Sequence, residues 1–312
     1  MKKTASPPLR LQTALAATLL SVGTALVASP AAASLQFTLQ DREVARMVSL
    51  GGSCNRCELS GRNLSGATFT GATFISATLV GANLRGAELV GSNFSASDFS
   101  RADLQGVQIQ GSNFSGSNFT DATLSGAEAQ GSNFNRANLT NANLTGAEMV
   151  GANMSGAVLD RANLSGAELF GSTLANLSAR GASFAGAELN AANMAGGDFT
   201  SANFNGAELD GARLQGASFR GASFNDASLS RTDIRGADLS GARGLTQDQV
   251  SDACGDGGTR LPARLTVRSC SGRTTMRISP PTPPRPPSAA RPARPAAPAA
   301  PARNLVIVDG GR

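Results

Sequence analysis

Four cysteines and one set of glutamates are the residues of this 312-residue chain whose types and spacing could do chemistry. Cys54 and Cys57 form a C-x-x-C, and Cys254 and Cys270 stand far downstream. Two thiol pairs are a zinc pattern, and a C-x-x-C is also a redox pattern, because thiolates bind soft metals and exchange disulfides. Glu88, Glu128, Glu148, Glu168, Glu188 and Glu208 fall on one 20-residue grid, with Gln108 filling its gap. They are the paired carboxylates of the chain. Histidine is absent, so no Ser-His or Cys-His pair can form. The reading is therefore of a protein that is not an enzyme, with no catalytic, cofactor-binding or metal site and no cofactor.

The elements that must position these residues are repeats. From Leu59 to Leu239 every fifth residue is a candidate inward position, without a slip of register. Of these 37 positions, 35 are Leu, Phe, Met or Ile; Ala129 and Ala179 are the exceptions. Two residues before each centre the chain nearly always has Ala or Ser, as in Ala67, Ala72, Ala77, Ala82, Ala87 and Ser92, and the residue between is mostly polar. A period of five fits neither a helix nor a flat strand. It demands a turn in every unit, with the centre and the small residue inside and the polar residue between them outside. Glycine recurs two residues after the centre, where it eases the corner.

Phenylalanine sets the number of sides. Phe74, Phe94, Phe114 and Phe134 form one column at spacing 20, Phe99 with Phe119 and Phe199 with Phe219 a second, and Phe184, Phe204 and Phe224 a third. The glutamates share that spacing, so four pentapeptides make one coil. Coils stacked at about 4.8 Å give about nine coils and a rod of about 45 Å. Leu177 is large where alanine is usual and compensates the small centre Ala179. Ala129 has no such compensation, so a small void or a shift is expected there.

Units such as Ala82-Asn83-Leu84-Arg85-Gly86 and Ala162-Asn163-Leu164-Ser165-Gly166 resemble those of the pentapeptide-repeat family, over roughly residues 54–240. The run from Leu245 through Cys254-Gly255-Asp256 to Leu261-Pro262 and Cys270 resembles the C-terminal flank of exported bacterial members. The resemblance implies an all-β fold, a right-handed quadrilateral β-helix, with roles in binding other macromolecules. It allows end-to-end dimers, which two caps would oppose, and leaves the oligomeric state open.

A stack of coils needs covered ends. Residues 34–57 are read as an N-terminal cap, with a short helix from Asp41 to Leu50 ending at Gly51-Gly52. Residues 58–240 form the solenoid. Residues 241–278 form a C-terminal cap, in which Thr246-Gln247-Asp248-Gln249 reads as a capping box. On a rod of about 45 Å the two cysteine pairs sit at opposite ends and cannot share one ion. An oxidising compartment makes Cys254–Cys270 a disulfide candidate. For Cys54 and Cys57 a disulfide, free buried thiols and redox activity all stand as readings.

Residues 1–33 read as a secretory signal: Lys2, Lys3 and Arg10, then an uncharged apolar run from Leu11 to Val27, then Ala31-Ala32-Ala33 as a cleavage site. An uncleaved anchor is the alternative; the short run, rich in Ala and Thr, favours cleavage after Ala33 and a periplasmic or extracellular protein that is not integral to the membrane. The net charge of +5 hides an asymmetry: residues 58–240 carry −6 and residues 254–312 carry +8. Residues 279–312 form a tail rich in Pro, Ala and Arg, either a disordered spacer or a cationic arm for an anionic surface.

The expected function is a structural or protein-interaction module of the bacterial envelope, with a protein or an anionic envelope component as partner and no nucleic acid. Two alternatives are a DNA-mimicking, gyrase-interacting pentapeptide protein, opposed by the export signal and the mild acidity, and a scaffold binding cations or polycations through the Glu column. For that column, duplication of a 20-residue unit is the plain account. An acidic stripe for a cation or a basic segment, including the chain's own tail, is the functional one.

Overall fold

The computed structural model describes residues 52–270, so the expected signal, the Asp41–Leu50 helix and the basic tail lie outside the described residues. Each pentapeptide is one extended step and one corner. The residue two places after every centre has positive φ, from Arg56 to Gly241. The next amide donates back to the centre carbonyl, as Ala147 N does to Leu144 O at 3.1 Å. This is a type II turn, whose third residue must be left-handed; Gly146 adopts φ 62° at no steric cost, whereas Asn141 and Arg161 are held at 58° by the coils around them.

Because every corner is alike, the chain returns to the same side after four units. Each outward residue pairs in parallel with the residue 20 positions on, from Ser53↔Thr73 to Ser223↔Arg243. Leu84 N donates to Asp103 O at 2.7 Å, and Asp103 N donates to Ala82 O at 2.9 Å, so successive amides bond alternately up and down the stack. The result is a right-handed quadrilateral β-helix, with about nine coils between Ser53 and Asp233.

Four walls enclose one apolar core. Centres from Leu59 to Leu239, and the positions two before them from Ala72 on, are buried almost completely. Phenylalanine columns stack ring on ring: Phe74–Phe94 at 4.6 Å, Phe99–Phe119 at 4.8 Å and Phe184–Phe204 at 4.9 Å between centroids. Neighbouring columns meet edge to face, as Phe114 and Phe119 do at 5.4 Å. Leu177 and Ala179 are both buried, and the ladder passes them without a break.

At Ala129 the backbone does not shift. Glu128 pairs with both Gln108 and Glu148 in register, and Ala129 N donates to Glu148 O at 2.7 Å. The same coil carries Phe119 and Phe134, and the coil before it carries β-branched Val107 and Ile109, all of them buried. Serines at small positions are also buried, with their hydroxyls satisfied: Ser97 Oγ donates to Phe74 O at 2.7 Å and Ser117 Oγ to Phe94 O at 2.7 Å.

The ladder reaches beyond the boundaries expected from sequence. It begins at Ser53, and it continues past Arg243 through Asp233↔Cys254 and Asp238↔Arg260. Helix α1 (Gln247–Ser251) covers one wall at the C-terminal end. Its capping box is formed by Thr246 and Gln249. Gln249 also donates Nε2 to Phe224 O and Ala227 O, at 2.8 and 2.9 Å, closing carbonyls of the coil beneath. Val250 and Ala253 are buried against that coil. Strand β1 (Cys254–Gly255) lies on the next wall, and β2 (Arg268–Ser269) pairs with it in parallel as a final layer.

Candidate interaction surface

The six glutamates occupy the middle outward position of one wall. Glu128, Glu148, Glu168, Glu188 and Glu208 are paired rung to rung without interruption, and Gln108 links Glu128 to Glu88. Adjacent rungs are about 4.8 Å apart, a spacing at which like charges in water repel by about 1 kcal/mol or less. Amide donors from the next corner soften that repulsion. Gln110 Nε2 donates to Glu128 Oε2 at 2.7 Å, Gln130 Nε2 to Glu148 Oε2 at 2.5 Å, and Asn190 Nδ2 to Glu208 Oε2 at 2.8 Å. Glu168, Glu188 and Glu208 are exposed and the other three half-buried. None of the ion pairs formed among the described residues reaches this column; the arginines pair with aspartates on other rows, as Arg180 does with Asp160 at 2.7 Å.

Beside the glutamates runs a row containing Val90, Gln110, Gln130, Val150 and Phe170. Phe170 is 39% exposed, so the acidic face carries an aromatic next to Glu168. The wall bearing Asn93, Asn113, Asn133 and Asn153 differs: each amide donates to the one below it, as Asn133 Nδ2 does to Asn113 Oδ1 at 3.1 Å. That asparagine ladder satisfies itself, whereas the Glu column accumulates charge.

The structure pairs the cysteines within each end. Cys54 and Cys57 are joined, Cα to Cα 5.5 Å, across the first corner; Cys54 continues the column of centres and Cys57 that of small residues. Cys254 and Cys270 are joined, Cα to Cα 4.9 Å, and tie the segment after β2 to β1. Coils separate the two bridges, so the four sulfurs never converge as a zinc site would require. Asp233 lies beside the C-terminal bridge, with Oδ1 3.9 Å from Cys270 Sγ. Paired cysteines are the state that an oxidising compartment favours.

Asp233 also contributes to the acid response of the C-terminal end. Burial raises its pKa, but hydrogen bonds from Arg235 and Gln215 and the Arg235 charge outweigh burial and hold it below the usual carboxylate value. Arg235 Nη2 lies 2.6 Å from Oδ2. A carboxyl whose folded-state pKa lies below its unfolded value of about 3.9 stabilises the fold fully above that value and loses its contribution as pH falls through the folded-state pKa. The thermal midpoint of Asp233→Asn is thus expected below that of the parent at neutral pH, with the gap closing as pH falls below the unfolded-state value. A gap that stays constant on acidification would assign the cost to packing alone.

With the geometry in place, the family follows. The pentapeptide-repeat model matches in eight copies, over residues 53–89, 79–116, 117–156, 137–176, 167–206 and 207–243. The chain belongs to the pentapeptide-repeat family. Among solved structures it is similar to HetL, a pentapeptide-repeat protein involved in heterocyst differentiation regulation from the cyanobacterium Nostoc sp. strain PCC 7120, at 29% identity over 70% of this chain and 98% of that one, with a TM-score of 0.40. It is also similar to a thylakoid-lumen pentapeptide protein of Arabidopsis thaliana, at 26% identity over 37% of this chain and 70% of that one, TM-score 0.24. QnrB1, a plasmid-mediated fluoroquinolone resistance protein, matches at 21% identity over 59% of this chain and 94% of that one, TM-score 0.27. No curated protein matches the chain. Among the described residues, no helix of this pentapeptide-repeat rod is long and apolar enough to cross a membrane.

Proposed function

We propose that this protein is an exported, non-catalytic interaction module of the cell envelope, a rod that offers its walls to a macromolecular partner. The observation that carries the reading is the state of the cysteines: all four are bridged, one bridge closing each end of the solenoid. Reducing compartments do not maintain such bridges, and the signal-like residues 1–33 supply a route out of one. The absence of histidine and the regular wall of amides and hydroxyls favour binding over chemistry.

Export and bridging are tested together. The chain is expressed with its own N-terminus, cells are fractionated, and thiols are alkylated before any reduction. The expected product is recovered outside the cytoplasm, begins at Ser34, and carries no label on its cysteines. Recovery of full-length chain in the cytoplasm with Cys54, Cys57, Cys254 and Cys270 alkylated would sink the proposal.

A further inference from the structure

Asp233, Cys254 and Cys270 come from successive layers of the C-terminal end, and their side chains meet there. A carboxylate oxygen of Asp233 and the two sulfurs lie within 4.8 Å of one another, on three half-buried residues. Backbone bonds, and not the bridge alone, put them there. Asp233 pairs with Cys254 in the parallel ladder. Cys254 N donates to Thr232 O and Ile234 N to Cys254 O, both at 2.9 Å, and Cys270 N donates to Gly255 O at 3.1 Å. Just before them, Val267 packs on the core and Thr266 exchanges hydrogen bonds with Gln247. Opening the sulfur–sulfur bond therefore leaves two thiols beside a carboxylate.

We propose that the C-terminal cap binds zinc in its dithiol state, with Cys254, Cys270 and Asp233 as ligands and water in the fourth position. Thiolate sulfur with one carboxylate suits this borderline-soft dication, which prefers a tetrahedron. Bonds of about 2.3 Å to sulfur and about 2.0–2.2 Å to oxygen set the ligand atoms about 3.5–3.8 Å apart. Asp233 Oδ1 and Cys270 Sγ, at 3.9 Å, are already near that separation. The sulfurs must part from a bonded distance of about 2.05 Å to about 3.8 Å, which rotation about each Cα–Cβ bond supplies. The carboxylate is braced from behind. Gln215 Nε2 and Arg235 Nη2 bond Oδ2 at 2.5 and 2.6 Å, and such outer contacts orient a ligating carboxylate. Arg235 Nε, 2.9 Å from Oδ1, yields that contact to the ion. The two thiolates and the carboxylate then balance the dication and the Arg235 guanidinium.

The exchange balances with an external dithiol as reductant. One of its thiolates attacks a bridge sulfur, forms a mixed disulfide and releases the other cysteine as thiolate. Its second thiolate then releases the remaining cysteine, and the dithiol leaves as a disulfide, having given two electrons. Zinc takes the two cysteine thiolates, and any protons they carry go to solvent. The cap is thus closed in either state, by a covalent bond or around an ion. The site needs only the C-terminal pair, so the distance between the two cysteine pairs does not oppose it. It goes beyond the reading of an exported module, and its test on the isolated, reduced chain leaves that reading untouched.

The test uses the full chain carrying C54S/C57S, folded oxidised, reduced with dithiothreitol and freed of it without air. Titration with cobalt(II) should give a thiolate-to-metal charge-transfer band that saturates at one ion per chain and is bleached by zinc. The oxidised chain should give no band. D233N, added to that chain and folded oxidised in the same way, should weaken cobalt binding at least about tenfold. X-ray absorption at the zinc edge reads the parent without substitution: two sulfurs at about 2.3 Å and lighter ligands at about 2.0–2.2 Å are expected. Zinc should also slow trypsin cutting after Arg260, Arg264 and Arg268 in the reduced chain at least about tenfold. A missing band, a sulfur count other than two, or trypsin cutting indifferent to zinc would each overturn the site. Equal affinity in D233N would overturn the three-ligand assignment and leave a bare dithiol.

Discussion

Phe114→Ala is expected to destabilise the solenoid by about 3–5 kcal/mol. The ring is stacked between Phe94 and Phe134, at 5.6 and 5.2 Å, and meets Phe99 and Phe119 edge-on at 5.7 and 5.4 Å. Truncation leaves a gap bounded by four rings, and the ladder on every wall keeps those rings from closing it. Each coil touches only its neighbours, so the damage concentrates nearby. Urea unfolding should show the loss, and hydrogen exchange should quicken most in coils 94–134. Phe69→Ala is the comparison. Phe69 has one ring neighbour, Phe74 at 5.2 Å, and lies near an end, so its loss should cost clearly less. Equal costs would mean that the columns add nothing beyond the burial of each ring.

Removing the C-terminal bridge with Cys254→Ser and Cys270→Ser is expected to cost about 3 kcal/mol, the chain-entropy value for a loop of its size. The bridge spans 16 positions and holds β2 on β1. Without it, the exposed strand β2 keeps its two-residue pairing and Arg268 near Asp252 at 3.8 Å, and the residues just before it keep the Thr266–Gln247 hydrogen bonds and Val267 against the core. The thermal midpoint should fall, and trypsin should cut after Arg260, Arg264 or Arg268 well before it touches the coils. The Cys54–Cys57 bridge closes a far shorter loop, and its removal by Cys54→Ser with Cys57→Ser should cost about 2 kcal/mol. If the C-terminal pair proves no more costly than the N-terminal one, the cap is held by Gln249 and the buried Val250 rather than by sulfur.

The body of the fold was legible because its physics repeats. Apolar residues every five positions dictated a turn in each unit, and the Phe and Glu columns at spacing 20 counted the walls. The capping box at Thr246 and Gln249 was readable for the same reason: its residue types and spacing are local. What escaped was whatever departs from the grid. Cys54 occupies a centre, but a cysteine does not announce itself as one of the apolar centres. Cys254 and Arg260 continue the ladder one and two residues out of step, after the helix has broken the period. At Ala129 the expected shift does not occur, because a linear pattern does not show the ladder bonds that hold Glu128 and Ala129 in register. In the Glu column the spacing was visible but the amide donors were not. Gln110 and Gln130 sit 18 residues before their partners, an interval with meaning only once the corner geometry is known.

The uniform corners make the surface an indexed lattice. Residue number modulo 20 gives the compass bearing of a side chain, and the whole multiple gives its height on the rod. An insertion of 20 residues would lengthen the rod by one storey and leave every bearing unchanged. An insertion of five would keep the core intact yet swing everything downstream through a quarter turn. Placed after Leu159, it would leave Glu88 to Glu148 where they are and carry Glu168, Glu188 and Glu208 round to the adjoining wall. Such a rod can exchange or split its recognition faces by whole-unit slips, without altering a single contact type in its interior.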